Sequence, residues 1–407
     1  MKNNIKQAAL LLTTGLLGFS GSASSAGFSL IEESASGLGN AFAGGAASAE
    51  DASTVFFNPA GMTRLSGTQL SVVMHAIKPT VRFSNAGSAG TGVNGGDAGS
   101  WALVPNFYVV TELSPTLRAG LGISSPFGLK TDYDANWIGR FQAIKSDMKT
   151  ININPALAYK INDQLSVGAG LNAQYISAEL TNAVRLPGNA EGFAQVKGDD
   201  WSFGYNLGVL YEVNPSTRFG LAYRSDVRHK LEGDVTFSGP FVFAQNGPIN
   251  AEITLPETVS LSAFRQINPQ WAVMSDVTWT RWSRFQELRI LRSTGALVSL
   301  TPENWEDTYR FAIGASYQQS DKLKLRGGAA YDQAPVTDSN RTARIPDADR
   351  TWLSVGASYQ FTATSSIDVG YAHVFVANAA INSGTPALVG EYSNSVDILS
   401  AQYNHRF

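Results

Sequence analysis

Cysteine is absent from all 407 residues, so no disulfide or thiol chemistry supports this fold or its function. Beyond Ala26 there is no stretch of about 18 consecutive apolar residues, which excludes a bundle of membrane-spanning helices. Histidine is scarce. His75, His229, His373 and His405 are the only four, and no two have metal-ligand spacing. HExxH and GxSxG are both missing, so a zinc protease and an elbow-type hydrolase lack their key residues. The expectation is a protein that is not an enzyme and has no metal and no cofactor. Charge is also sparse: charged residues make up 15% of the chain and the formal net charge is −3. That gives no basic surplus for nucleic acid. Gly37-Leu38-Gly39-Asn40-Ala41-Phe42 misses a dinucleotide fingerprint at its last position, and it lacks the flanking strand and helix.

What is present begins with a leader. Lys2 and Lys6 form a basic start, Ala8–Phe19 an apolar run too short to span a bilayer, and Gly21–Ala26 a small-residue stretch. Residues 1–26 are expected to be a signal peptide cleaved after Ala26. Its loss would leave 28 bases (30 less Lys2 and Lys6) against 33 acids.

The next segment is distinctive. From Gly27 to Met62, 19 of 36 residues are Gly, Ala or Ser. It carries Glu32, Glu33, Glu50 and Asp51 but no base, and it ends in Phe56-Phe57-Asn58-Pro59-Ala60-Gly61. It is too small-residue-rich for a membrane helix and too irregular for a strand. At the front of a barrel it is expected to fill the lumen as a hatch, residues 27–66.

Residues 67–407 alternate with period two. Tyr309, Phe311, Ile313, Ala315 and Tyr317 share one face, and Arg310, Ala312, Gly314, Ser316 and Gln318 the other. Leu323–Tyr331, Leu353–Phe361, Ile367–Phe375 and Leu399–Phe407 repeat the pattern, with His373 and His405 in the outward aromatic runs. Alternation over about ten residues with aromatics at the ends is the signature of a transmembrane β-barrel. Fourteen strands are expected, starting near Gly67, Trp101, Thr116, Asp147, Gln164, Asp200, Thr217, Ala251, Gln270, Thr308, Lys322, Arg350, Ser365 and Ser395. Short turns such as Asn162-Asp163 and Asn268-Pro269 read as periplasmic. Long connections read as extracellular: 84–100, 128–146, 182–199, 291–307, 333–349 and 378–394. Within 128–146, the spacing of Trp137, Ile138, Phe141 and Ile144, with Arg140 among them, predicts a short amphipathic helix at the barrel mouth.

Two local irregularities remain. Pro59 fixes its own φ and pushes Asn58 towards extended backbone, so Asn58-Pro59-Ala60 reads as a turn into the first strand. In the third strand Gly120 and Gly122 alternate with Leu121 and Ile123, and Ser125-Pro126-Phe127-Gly128 breaks the ladder. Such a strand either kinks inward, leaving a gap, or simply ends.

These residues resemble the FadL family of outer-membrane transporters of long-chain fatty acids and related hydrophobic compounds. The N-terminal resemblance is carried by Gly27-Phe28-Ser29-Leu30, Ser36-Gly37-Leu38-Gly39-Asn40-Ala41, Glu50-Asp51-Ala52 and Asn58-Pro59-Ala60. Further on it is carried by Trp305–Arg310, Tyr331–Val336 and Arg344–Arg350. The resemblance implies an all-β barrel of fourteen strands with an N-terminal hatch in the lumen, lying in the bacterial outer membrane as a monomer. It implies Asn58, Pro59 and Ala60 as gating residues. Gly27, Phe28, Ile138, Arg140, Phe141 and Arg310 become the expected ligand-binding set. Gly120, Gly122 and Ser124 mark the expected lateral-opening kink. Phe407 resembles the terminal aromatic recognised by the barrel assembly machinery. The implied partners are a long-chain fatty acid or other hydrophobic small molecule, the lipid bilayer and lipopolysaccharide.

The sequence departs from the family at the head-group site. Clear basic counterparts are missing, and Ser177 and Thr301 lie about where they would fall. Arg310, Arg326 or Arg118 are the inward candidates to replace them, or the ligand is uncharged. An aromatic-hydrocarbon channel of the same family is the alternative, with a general porin behind it.

Overall fold

A computed structural model describes residues 27–239 and 245–407; the expected leader, residues 1–26, lies outside them. Among the described residues, fourteen antiparallel strands pair in chain order into a closed ring. They are Thr68–Asn85, Ala102–Ser114, Leu117–Ser124, Lys145–Lys160, Leu165–Arg185, Glu191–Asn214, Thr217–Arg224, Thr258–Gln266, Trp271–Thr280, Thr308–Gln318, Leu323–Asp332, Arg350–Gln360, Ser365–Val376 and Leu388–Arg406. The first and last strands close the ring, with Ile77 opposite Ile398 and Gln69 opposite Arg406. Closure satisfies the backbone groups that an open sheet would expose to hydrocarbon.

Period two decides which side chains meet lipid. Tyr309, Phe311 and Ile313 point outward and are exposed, whereas Arg310 and Ala312 between them are buried. No helix among the described residues is long and apolar enough to cross a membrane; the strands do the crossing.

Three boundaries differ from the sequence expectation. The sixth strand begins at Glu191, because its pairing with the fifth continues as far as Arg185 opposite Glu191. The expected long connection 182–199 is therefore mostly ladder. The eighth wall strand begins at Thr258, not near Ala251. Pro256 has no N–H, and the chain before it, Gly247–Leu255, pairs elsewhere. With Val227–Ser238, Glu287–Arg292 and Leu297–Pro302 it forms a sheet that continues the upper half of the sixth strand. The last strand starts at Leu388, where it meets the short strand Ala379–Ser383.

The amphipathic helix expected within 128–146 is not formed; consecutive turns follow the Trp137 bridge. Its apolar residues serve packing instead. Tyr133 stacks on Trp137 at 4.0 Å, and Trp137, Ile138 and Ala143 are buried with Phe83 and Tyr392. Short-range helical spacing was outweighed by a loop core built from distant strands.

The N-terminal segment lies inside the ring. Ala35–Gly39, Gly45–Ser48 and Thr54–Phe57 are single helical turns, followed by the 3-10 turn Pro59–Arg64. Ser34 caps the first by accepting from Gly37 N at 3.0 Å. Small residues allow the segment to approach the wall closely. A Cβ on wall residue Gly356 would lie 2.7 Å from Gly39 Cα, and one on Gly168 2.4 Å from Ala60 N.

Candidate functional site

An irregular segment inside a barrel leaves carbonyls without ladder partners, and inward arginines supply the missing donors. Arg118 Nε donates to Leu65 O at 2.8 Å, Arg218 to Ala47 O and Ser48 O at 2.6 Å each, and Arg224 to Phe56 O at 3.0 Å. Arg310 Nη2 donates to Ala41 O at 2.8 Å, leaving its Nε and Nη1 without a partner. Arg326 joins Asp368 at 2.7 Å and Glu50 at 2.9 Å. Of the three candidates to replace the head-group bases, Arg118 and Arg326 are thus committed to holding structure, and Arg310 only in part.

Asn58 is fully buried. Its Nδ2 donates to Ala46 O at 2.7 Å and to wall carbonyl Val209 O at 3.0 Å, and its Oδ1 accepts from Ala60 N at 3.0 Å. The tripeptide is more than a turn: it ties two parts of the segment to the wall. Asn58→Ala would remove the side-chain donor from the buried Ala46 O and the part-buried Val209 O and cost docking about 1–3 kcal/mol. The expected result is faster proteolysis and hydrogen exchange within residues 27–66 in an intact barrel; unchanged exchange would contradict this role.

Gly120 and Gly122 lie in regular ladder, paired on both edges. Their missing side chains make room for the lumen segment. A Cβ on Gly120 would lie 2.4 Å from Met62 Sδ and 2.7 Å from Val55 Cγ2, and one on Gly122 3.1 Å from Tyr108. The break falls just beyond Ser124, at 125–127. Gly120→Leu is therefore expected to overpack this contact by about 1–3 kcal/mol and loosen the segment at Met62. Proteolysis of that end should rise; unaltered protection would refute the contact's importance.

Above the break the ladder between the second and third strands is interrupted. The second strand pairs with the third only from Phe107, opposite Ile123, so Ala102–Asn106 lacks a partner on that side. Gly128–Asp132 resumes the third strand but pairs only with the fourth. The N-terminal end occupies the broken edge. Ser29 bridges Phe127, Leu30 N donates to Pro126 O at 2.8 Å, and Gly128 N donates to Phe28 O at 2.9 Å.

Phe28, 1% exposed, sits in an aromatic box. Its ring lies 4.7 Å from Trp282, 5.3 Å from Trp305, 5.6 Å from Phe285 and 6.1 Å from Phe127. Gly27 must be glycine: φ is +65°, and a Cβ would lie 2.7 Å from the Trp305 ring. Gly27 N donates to Asp347 Oδ2 at 2.7 Å, and Asp347 is held by Arg350 Nε at 2.9 Å.

The box separates two cavities. The upper one is apolar, lined by Phe28, Leu129, Met148, Ile176, Leu231, Phe285 and Ile345, with Glu303 and Arg344 as its charged groups. The lower one lies against the break and is mixed, lined by Leu30, Phe57, Pro126, Phe127 and Trp282 together with Arg224, Asp276, Arg310 and Asp332. Of the expected ligand-binding set, Phe28 faces the upper cavity and Arg310 the lower. Gly27 lies beside the box. Ile138, Arg140 and Phe141 line neither cavity. Arg140 is held by Glu191 at 2.6 Å, and both Arg140 and Arg185 lie over the Phe141 ring. Sequence reasoning missed Arg344 and Glu303 as groups of one pocket. Both sit in or beside motifs that resemble the family, but nothing local brings them together.

Among the described residues no cluster of His, Asp or Glu could hold a metal ion. Comparison with known proteins gives a consistent picture. Residues 16–407 match the sequence profile of the outer membrane protein transport proteins (OMPP1/FadL/TodX). The chain is 32% identical over 449 residues to the long-chain fatty acid transport protein of an Escherichia coli O6:H1 strain, covering 100% of this chain and 99% of that protein. A Pseudomonas aeruginosa FadL homologue of known structure superposes with a TM-score of 0.88 at 26% identity, covering 94% of this chain and all of that one. The Ralstonia pickettii toluene transporter TbuX shares the fold, with a TM-score of 0.70 at 23% identity over 93% of this chain and 100% of that one.

Proposed function

We propose, from the premise that the chain belongs to the outer membrane protein transport protein family (OMPP1/FadL/TodX), that it carries long-chain fatty acids across the bacterial outer membrane by passive, gated uptake. The observation that carries this reading is the pair of cavities on either side of the Phe28 box, inside the barrel. A water-filled pore offers an apolar solute no favourable path. An apolar pocket removes its surface from water at about 25 cal/mol per Å². Such a pocket also traps its ligand, so release requires a change of shape.

In this reading residues 1–26 are the removed leader, residues 27–66 the hatch and residues 67–407 the barrel. Cleavage after Ala26 would make the Gly27 amine an ammonium, strengthening its contact with Asp347. Ile138, Arg140 and Phe141 form part of the outer surface that ligand meets first, after crossing lipopolysaccharide. Ligand then enters the upper pocket with its chain against Leu129, Ile176 and Leu231 and its head towards Arg344. Withdrawal of Gly27–Leu30 joins the two cavities and uncovers the edge at Pro126–Gly128. The ligand leaves sideways into the membrane, with Ser124 and the Gly120–Gly122 ladder below the opening. Arg310, with two free donors, faces it in the lower cavity. Asn58-Pro59-Ala60 anchors the part of the hatch that stays. Phe407 would serve assembly, and each monomer would work alone.

Arg344 favours an acid over a hydrocarbon, because a guanidinium bordering an apolar pocket gains little from an uncharged ligand. Uptake of labelled oleate by cells lacking their own carrier, together with planar-bilayer recording, tests the proposal. Saturable uptake with small, intermittent conductance is expected. A large steady conductance without saturable uptake would identify a general porin instead.

A further inference from the structure

At the polar end of the upper cavity stand two opposite groups that do not pair with each other. Glu303 is 2% exposed and makes one hydrogen bond, accepting from Trp305 Nε1 at 3.1 Å. The turn that presents it is tight: Asn304 has φ +47°, and both Glu303 N and Asn304 N donate to Gln286 O. Arg344 donates to Ser146 Oγ at 3.2 Å, Lys145 O at 3.3 Å, and Thr181 O and Asn182 Oδ1 at 3.4 Å, all long for a guanidinium. Both residues line the cavity, yet no ion pair within 4.0 Å joins them. An acid and a base on one apolar wall, left apart, forgo the pairing that normally offsets desolvation.

We propose that Glu303 and Arg344 form a split clamp for the head group of the ligand, in which a ligand carboxylate accepts from Arg344 on one side and from the carboxyl proton of Glu303 on the other. This rests on reading the upper cavity as the ligand pocket, and it makes Glu303 the residue that decides which head group is admitted. Once Glu303 is ionised, the clamp repels a carboxylate and suits a hydroxyl, which donates to Glu303 and accepts from Arg344.

The surroundings support this assignment. Burial pushes Glu303 up to about 8, against the opposing pull of the Trp305 indole and Arg344. Burial draws Arg344 down to about 10, with Glu303 and Tyr133 opposing, so it stays charged near neutrality. The other charges nearby are engaged: Lys145 pairs with Glu179 at 2.8 Å and with Asp147 at 3.7 Å. A fatty acid's own carboxyl is ionised well below this range. The sign follows: carboxylate binding is favoured while Glu303 holds its proton, and weakens as pH rises through about 8.

The test is equilibrium binding of oleate and oleyl alcohol to the purified full-length protein. Between about pH 6.5 and about pH 9, oleate affinity should fall roughly tenfold, as the protonated fraction of Glu303 does, while alcohol affinity holds or rises. Glu303→Gln keeps a permanent donor, so its oleate affinity should lose this pH dependence. Arg344→Gln should bind oleate no better than the alcohol. A flat oleate profile in the natural protein, or a fall that survives in Glu303→Gln, overturns the clamp while leaving the pocket intact. Failure of both ligands to bind overturns the pocket reading and the clamp with it.

Discussion

Replacing Phe28 with alanine is expected to weaken long-chain fatty acid binding by roughly tenfold to a hundredfold, or about 1.4–2.7 kcal/mol. The ring is fully buried, and four aromatic neighbours contact it. Truncating such a residue commonly costs about 3–5 kcal/mol. Here that cost falls on the docking of the N-terminal end, because the barrel closes through its own ladder. The vacated space would also join the upper and lower cavities, so ligand would no longer be held above the box. Deleting Gly27-Phe28-Ser29 should act in the same direction and also remove the bond to Asp347. Binding to purified protein, together with heat-modifiable migration as the assay of barrel assembly, separates the effects. Wild-type affinity in Phe28→Ala would show that the box does not shape the pocket.

The second large effect is expected from a covalent lock. Ser29 and Phe127 face each other across an isolated antiparallel bridge. Residues opposed in this way have Cα atoms about 4.5–5.5 Å apart, inside the span a disulfide needs. The chain has no cysteine of its own, so Ser29→Cys with Phe127→Cys would form a single defined bond. Oxidised, this variant should lose at least about nine-tenths of its fatty acid uptake, a tenfold fall, because the hatch end can no longer leave the broken edge. Reductant should restore uptake in the same sample, which controls for the loss of the Phe127 ring. Equal uptake before and after reduction would mean that Gly27–Leu30 does not need to move.

Much of the barrel is legible in the sequence because alternation is a local property. Tyr309, Phe311 and Ile313 announce their shared face without reference to any other strand, and thirteen of the fourteen starts fall on or near observed wall strands or their extensions. The misjudged segments are those where distant pairing outweighs local signals. Residues 182–199 read as a long connection, yet the fifth and sixth strands rise together there as a ladder. Residues 247–255 carry strand-like alternation but belong to the projecting sheet, since Pro256 interrupts the path into the wall. Trp137, Ile138 and Phe141 have helical spacing, but Trp137 and Ile138 pack with Tyr133, Phe83 and Tyr392 in a loop core, and Phe141 lies under Arg140 and Arg185 instead.

By itself the sequence determined the number of crossing strands, the lipid-facing side of each, and the small-residue segment able to fill a lumen. Each follows from residue size or from period two within one stretch of chain. Tertiary structure alone decided which inward side chains meet. Phe28 finds Phe127, Trp282, Phe285 and Trp305, and Glu303 shares a cavity wall with Arg344, only after ring closure and strand register bring remote segments to the same height in the barrel. Register is a property of pairs of strands, and closure of all of them together, so no single stretch of sequence encodes either one.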